Sequence, residues 1–248
     1  MPLETASERA IDPLLPIAPQ LFRALRHRIV HNDLPPGTRI SETEIAREFG
    51  ISRQPVREAF IKLASQDLLA ILPQRGTIVR KIRYEGVLDA RFLREAIESD
   101  VVRILASAPQ ADWISNLRDQ LKAQRASLQR GPEDFFALDD RFHRTLADAA
   151  GKRGAWRLIE GLKSQMDRVR FLSLAHFSVP NLIEQHQAIV DRIADADIAG
   201  AELRIRGHLR EVLNDLPKIA AGAPGFFDMP AEGLPRSVNV PIQGGEIR

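Results

Sequence analysis

Ser41-Glu-Thr-Glu-Ile-Ala-Arg-Glu-Phe-Gly-Ile-Ser-Arg-Gln-Pro-Val-Arg-Glu-Ala-Phe60 decides how the first third of this 248-residue chain folds. Ser41 offers the side-chain oxygen of an N-cap, and Glu44 three residues on completes a capping box. A helix therefore begins here, with Ile45, Ala46 and Phe49 on its inner face. Gly50 permits the tight exit turn. Ser52 is placed to cap a second helix, and Pro55 falls in its first turn, where the missing N–H has no intrahelical partner to lose. Val56, Ala59, Phe60 and Leu63 recur at helical spacing and give that helix a buried face. Arg53 and Arg57, four apart, share another face near its start. An arginine pair alone reads more simply as a solvated surface. Two capped helices about a glycine turn read as a helix-turn-helix, whose second helix enters the major groove, where arginine can bond guanine in two places.

Working outward, Leu21, Leu25, Ile29 and Val30 predict a helix ahead of the pair, and Leu34-Pro-Pro-Gly37 turns the chain back. Behind it, Leu68 to Leu72 and Thr77 to Lys81 are β-prone runs around the turn Pro73-Gln-Arg-Gly76, a hairpin wing from which Gln74, Arg75 and Arg80 are placed to meet phosphates or to stay ordinary hairpin polar residues. This combination resembles the winged helix of the GntR family of bacterial transcription regulators over residues 20 to 82. The residues that carry the resemblance are Leu34-Pro-Pro-Gly37, Ser41-Glu42, Ile45-Ala46, Phe49 to Ala59, Leu63 and Gly76. It implies that Arg53 and Arg57 contact DNA and that Gly76 lies at the wing tip. Thr43, Ser52, Gln54 and Arg75 complete the expected DNA-facing set.

The charge distribution agrees. Residues 1–83 hold 13 Lys/Arg against 9 Asp/Glu, and residues 84–248 hold 22 against 24, so the positive balance sits with the DNA reader. The chain has no cysteine, which excludes disulfides, thiolate metal sites and a cysteine nucleophile. No apolar run approaches a membrane span and no signal peptide opens the chain, so a cytoplasmic protein is expected.

From Tyr84 on, strand alternation is missing and apolar positions return every three or four residues. A first long helix runs to Ala108-Pro109, and further helices are expected at about 111–129, 132–150, 154–177, 180–196 and 198–216. The fold class is mainly α: a winged helix-turn-helix over 17–82, then an all-α bundle of six to seven helices over 84–218. A loose arm is expected over 1–16 and a flexible, Gly- and Pro-rich tail over 222–248.

Three of the six histidines, His143, His186 and His208, lie on three different expected bundle helices. Asp139 precedes His143 by one helical turn, so both can reach one ion. Taken singly, each histidine is more simply a satisfied core residue. Asp140 competes with Asp139 for the carboxylate position. His27 and His31 share the same spacing, but no third ligand is in view, and they read as surface residues.

Residues 84 to about 216 resemble the FCD effector domain of the FadR subfamily. The resemblance rests on Arg94-Glu-Ala-Ile-Glu98, Asp139-Asp-Arg-Phe-His143-Arg-Thr-Leu146, His186-Gln-Ala-Ile189 and Arg206-Gly-His-Leu209. It implies that Asp139, His143, His186 and His208 hold a divalent ion, with zinc, nickel, manganese and iron all compatible. It also implies that a small carboxylate-bearing metabolite occupies the open positions and that Arg94 pairs with it. An intrahelical bridge from Arg94 to Glu98 is the alternative. Where the family has asparagine after the Asp-x-x-x-His helix, this chain has Gly151-Lys-Arg-Gly154, and Lys152 favours an anionic effector if it points inward. Arg168 and Arg170 can line the pocket or the outer surface. The expected protein is a ligand-responsive regulator, not an enzyme, binding a palindromic operator on double-stranded DNA as a homodimer. The alternative is a metal-dependent hydrolase with an accessory DNA-binding domain, against which the spacing places no glutamate beside a ligand histidine.

Overall fold

A computed structural model describes residues 11–72, 75–172 and 178–231, apart from the side chains at 132 and 133. In the N-terminal part, α1 (Ile17–Val30), α2 (Glu42–Phe49) and α3 (Arg53–Ser65) pack around a small antiparallel sheet. The sheet has the order β1 (Arg39–Ile40), β3 (Gly76–Val79), β2 (Leu69–Leu72). Leu69 pairs with Val79 and Arg39 with Ile78. This is a winged helix-turn-helix. Its core is the expected one: Leu21, Leu25 and Ile29 meet Ile45, Val56, Phe60 and Leu63, with Leu69 and Val79 closing the wing side. Each such side chain contributes roughly 1.5–3 kcal/mol of burial.

The caps divide. Ser41 caps α2 through its Oγ, which accepts from the Glu44 N–H at 3.1 Å and donates to the Glu44 carboxylate at 2.9 Å. Gly50 then takes the left-handed conformation, φ 64°, at the exit. Ser52 occupies the N-cap of α3 with extended backbone, but its hydroxyl makes no capping hydrogen bond, contrary to the sequence expectation. Gln74 lies outside the described residues.

The helical part holds eight helices among the described residues, more than the six to seven expected: α4 (Tyr84–Ser107), α5 (Ala111–Ser127), α6 (Pro132–Ala149), α7 (Arg153–Leu162), α8 (Ser164–Leu172), α9 (Val179–Ala194), α10 (Ile198–Arg210) and α11 (Val212–Gly222). Two expected helices each divide. At Lys163 the backbone flattens to ψ −3°, and its ammonium is drawn to Asp140 at 2.6 Å and Asp167 at 2.8 Å. At Glu211 the bonding tightens to the carbonyl three residues back, and Pro217 inside α11 removes a further donor. The last residues of the expected 154–177 helix, 173–177, lie outside the described residues. One core, built on Val102, Leu121, Phe142, Ile189 and Ile205, fills the bundle. A second gathers Ile82, Val87, Met166, Val169 and Leu216 near the junction with the winged helix.

Both expected loose ends are partly corrected. Residues 224–226 form a 3-10 turn, and β5 (Phe227–Asp228) pairs in parallel with β4 (Ile82–Arg83). Phe227 is buried in the second core, and that apolar contact holds the segment in place. At the other end, the Gln20 amide ties down residue 12, accepting from its N–H and donating to its carbonyl, both at 2.9 Å.

Candidate functional site

Thr43, Ser52, Arg53, Gln54, Arg57, Arg75 and Gly76 are all exposed, along α2, the start of α3 and the wing turn. Gly76 has φ 88°, a left-handed conformation that suits glycine at the wing tip. Arg57 has no salt bridge among the described residues. Arg53 is held loosely by Glu42 at 3.1 Å and Gln54 by Glu58 at 3.0 Å, contacts that an incoming DNA strand can displace at little cost.

Asp139, His143, His186 and His208 come together in the bundle, and all four are buried. α6 supplies Asp139 and His143 from successive turns, α9 supplies His186 and α10 supplies His208. Their inward atoms converge. His208 Nε2 lies 3.2 Å from both His143 Nε2 and His186 Nε2, and Asp139 Oδ1 lies 3.4 Å from His186 Nε2 and 3.8 Å from His143 Nε2. The neighbour Asp140 turns instead to Lys163, so Asp139 and not Asp140 joins the cluster.

The outward nitrogens explain why the inward ones are poised for a cation. Each Nδ1 faces an acceptor: His143 meets Glu98 at 2.5 Å, His186 meets Gln124 Oε1 at 2.9 Å, and His208 meets Gln185 Oε1 at 2.8 Å. The glutamine orientations are themselves fixed, because Gln124 Nε2 donates to the Leu138 carbonyl and Gln185 Nε2 to Glu211. With protons on all three Nδ1 atoms, the Nε2 lone pairs face one another across 3.2 Å. Asp139 Oδ1 adds a buried oxygen without a hydrogen-bond donor among the described residues. Four converging donor atoms with no proton between them suit a divalent ion, and the carboxylate or amide behind each imidazole is the usual orienting partner of a metal-bound histidine.

Electrostatics point the same way. Burial, with the neighbouring His186 and His143, holds the His208 imidazole well below its ordinary pKa, and burial also lowers that of His186. Burial raises the Asp139 carboxyl, but Arg170, whose guanidinium lies 2.7 Å from Oδ2, and the histidines outweigh it, so the group lies well below its usual range. Glu98, pushed up by burial and down more strongly by Arg94 and His143, falls to about 2. Imidazoles held neutral at His186 and His208 and a carboxylate held charged at Asp139 are protonation states that favour metal binding.

Arg94 is buried, and its Nε donates to Glu98 at 2.8 Å, the alternative foreseen from the sequence. One of its terminal nitrogens stays buried without a hydrogen-bond partner among the described residues. Lys152 is exposed and does not point inward. Arg168 is buried, and Arg170 is partly exposed with its guanidinium on Asp139. A cleft of about 580 Å³ lined by Gln185, Arg204, His208 and Asn214 runs between α9 and α10 and reaches the site along the edge of His208. His31, expected at the surface, is half-buried, its ring over Phe171 of α8 at 3.8 Å.

Sequence reasoning missed Gln124 and Gln185 as supports of the site, left Arg170 open between the pocket and the outer surface, and took Glu98 only as a partner of Arg94. Gln185 carries a signal, since it directly precedes His186. Gln124 carries none, because its helix approaches from elsewhere in the chain. Sequence spacing also placed no glutamate beside a ligand histidine, and the fold supplies Glu98. It stands behind His143, on the side away from the convergence point, and is held by Arg94.

Residues 17–79 match the family of bacterial regulatory proteins called the gntR family, and residues 89–211 match the FCD domain. The chain is 41% identical over 214 residues, 86% of its length and 94% of the relative's, to the HTH-type transcriptional repressor RspR of Escherichia coli K12. It is 27% identical over 189 residues, 76% of its length and 89% of the relative's, to the Nta operon transcriptional regulator of Aminobacter aminovorans. Among solved structures, E. coli McbR/YncC shares the fold with a TM-score of 0.69 at 18% identity, over 81% of this chain and 97% of that one. The likeness spans both the reading helices and the helical part that holds the histidine cluster, and its named members regulate transcription. The chain therefore belongs to the gntR family and is a transcriptional regulator whose helical part is an FCD domain.

Proposed function

We propose that this regulator is a metal-dependent repressor, released from a palindromic operator by a small carboxylate. Residues 17–82 would read the DNA, and residues 84–218 would bind the effector and dimerise. The observation that carries the reading is the set of three imidazoles whose Nδ1 atoms all face acceptors, with Asp139 Oδ1 unpartnered among their Nε2 atoms. Bound there, a zinc, nickel, manganese or iron ion would act as a Lewis acid with coordination positions left for a carboxylate oxygen. Asp139, His143, His186 and His208 would hold it, Arg170 would orient Asp139, and the spare nitrogen of Arg94 offers the kind of donor a carboxylate takes. Repression is the sense suggested by the name of the 41%-identical relative.

In the reading head, Arg53, Gln54 and Arg57 would face base edges, and Thr43, Ser52, Arg75 and Gly76 the backbone. Two copies would be needed, because one recognition helix makes too few base contacts for useful specificity. Phe92 and Leu93 on α4 and Leu158 and Leu162 on α7 are exposed apolar side chains on two helices joined through Ile97, a surface suited to the second copy. No helix among the described residues is long and apolar enough to cross a membrane, and a place in the cytoplasm beside the DNA follows from the proposed role.

The deciding experiment is metal analysis of purified protein by mass spectrometry. Stoichiometric metal in the wild type that disappears in His143→Ala is the expected result. Wild-type metal content in the variant would reject the site.

A further inference from the structure

Helix α8 touches both functional parts of the molecule, on different sides of its axis. Successive residues of a helix are offset by about 100°, so Ser164, Gln165, Asp167, Arg168 and Phe171 share one broad side, and Met166, Val169 and Arg170 lie on the other. The first side meets the reading head. Asp167 accepts from Arg26 of α1 at 2.6 Å, and Ser164 accepts from Arg26 Nε and donates to Gln66, both at 3.2 Å. Gln165 donates to the Asp67 carbonyl and accepts from the Arg83 N–H, and Phe171 lies under His31. The other side meets the second core through Met166 and Val169, and the candidate metal ligand Asp139 through Arg170. A second connection runs beside it. Asp140, next to Asp139, holds Lys163, and Lys163 holds Asp167.

Arg168 sits in the middle of the side turned to the reading head. It is 0% exposed, and none of its three guanidinium nitrogens has a hydrogen-bond partner among the described residues. Burial alone draws its pKa down to about 10. A buried cation without an acceptor opposes the packing that buries it, because separation would return it to water. The contact thus contains an attractive element, Asp167 with Arg26, and an opposing one, Arg168.

We propose that α8 is a releasable latch that transmits the state of the metal centre to the reading head, closed by Asp167 on Arg26 and kept near its opening point by Arg168. The proposal rests on the metal-centre reading above. Asp139 would share its charge between a bound ion and Arg170, so occupancy of the site would alter the hold of Asp139 on Arg170, and α8 joins Arg170 to the Asp167–Arg26 contact with α1. Arg168 serves the response by being badly accommodated, since a contact with no opposing element would stay closed.

The test uses full-length protein, zinc ion as the probe, and a DNA site selected from a random pool by the wild type. Hydrogen exchange across α1 and α8 reads the latch, and operator titrations with zinc or with chelator read its output. Asp167→Asn is expected to lower amide protection of both helices and Arg168→Met to raise it. Zinc is expected to change wild-type site affinity about fivefold or more, in the range of allosteric couplings. Both variants should reduce that change below about twofold while binding zinc as tightly as the wild type. Shifts of protection in the same direction, no shift, or a full zinc response in both variants would overturn the latch. So would a wild type that binds zinc with no change in site affinity. A wild type that binds no zinc would instead sink the metal-centre reading, and the opposite protection shifts alone would then decide the latch.

Discussion

The reading surface and the histidine cluster are built in opposite ways. The first is drawn mainly from twenty contiguous residues, Ser41 to Phe60, and every side chain proposed to meet DNA is exposed. The second is drawn from three helices separated by up to 69 positions, Asp139 to His208, and its four residues are buried. A surface that meets a large, charged, hydrated partner can be flexible and held by weak contacts, as Arg53 is by Glu42. A centre proposed to recognise a small ion needs its geometry fixed before the ion arrives, and here every imidazole has a backing acceptor. The same chain therefore carries tolerance for side-chain motion at one end and very little at the other.

That contrast can be broken at several points. The largest effect is expected from changing His186 and His208 to Ala together: bound metal should fall from stoichiometric to none by mass spectrometry, while isolated DNA-head contacts stay formed by NMR. Glu98→Gln should leave all four ligands in place yet weaken metal affinity by about 10- to 100-fold, as loss of an orienting partner does, measured by competition with a chromophoric chelator. If the centre were as tolerant as the reading surface, that change would be silent. Arg57→Ala should weaken operator binding by about 1–3 kcal/mol and relax preference at one base position, with metal content unchanged. Arg53→Ala should cost less, because freeing Arg53 from Glu42 offsets part of its gain on DNA. The smallest contrast lies within the reading head. Ser41→Ala should cost about 1 kcal/mol of stability in chemical denaturation, whereas Ser52→Ala should stay within about 0.5 kcal/mol, because only Ser41 makes a capping bond.

Local rules explain what could be read beforehand. Capping, the glycine exit at Gly50 and helical periodicity act over a few residues, so the winged helix and the helical character of the remainder followed from Ser41, Gly50, Pro55 and the apolar spacing. The convergence of Asp139, His143, His186 and His208 was legible only through family resemblance, since nothing local ties His186 to His208. Gln124 was not legible as a support and Arg170 could not be assigned to the pocket over the outer surface, because a glutamine or an arginine on a helix is ordinary until the neighbouring helix is placed. The divisions at Lys163 and Glu211 escaped for the same reason. Lys163 answers to Asp140 twenty-three residues away, and Pro217 lies far enough into its helix that periodicity alone ran past it.

The short parallel pairing of Ile82 with Phe227 has an evolutionary reading. The chain enters the helical part at Ile82 and comes back beside that point at Phe227, so the two ends of the helical part lie side by side at a single seam. Such an element can be exchanged between chains without rerouting either partner. Recombination at that seam could place a new helical part behind an old reading head in one step, leaving the twenty residues proposed to read the DNA untouched.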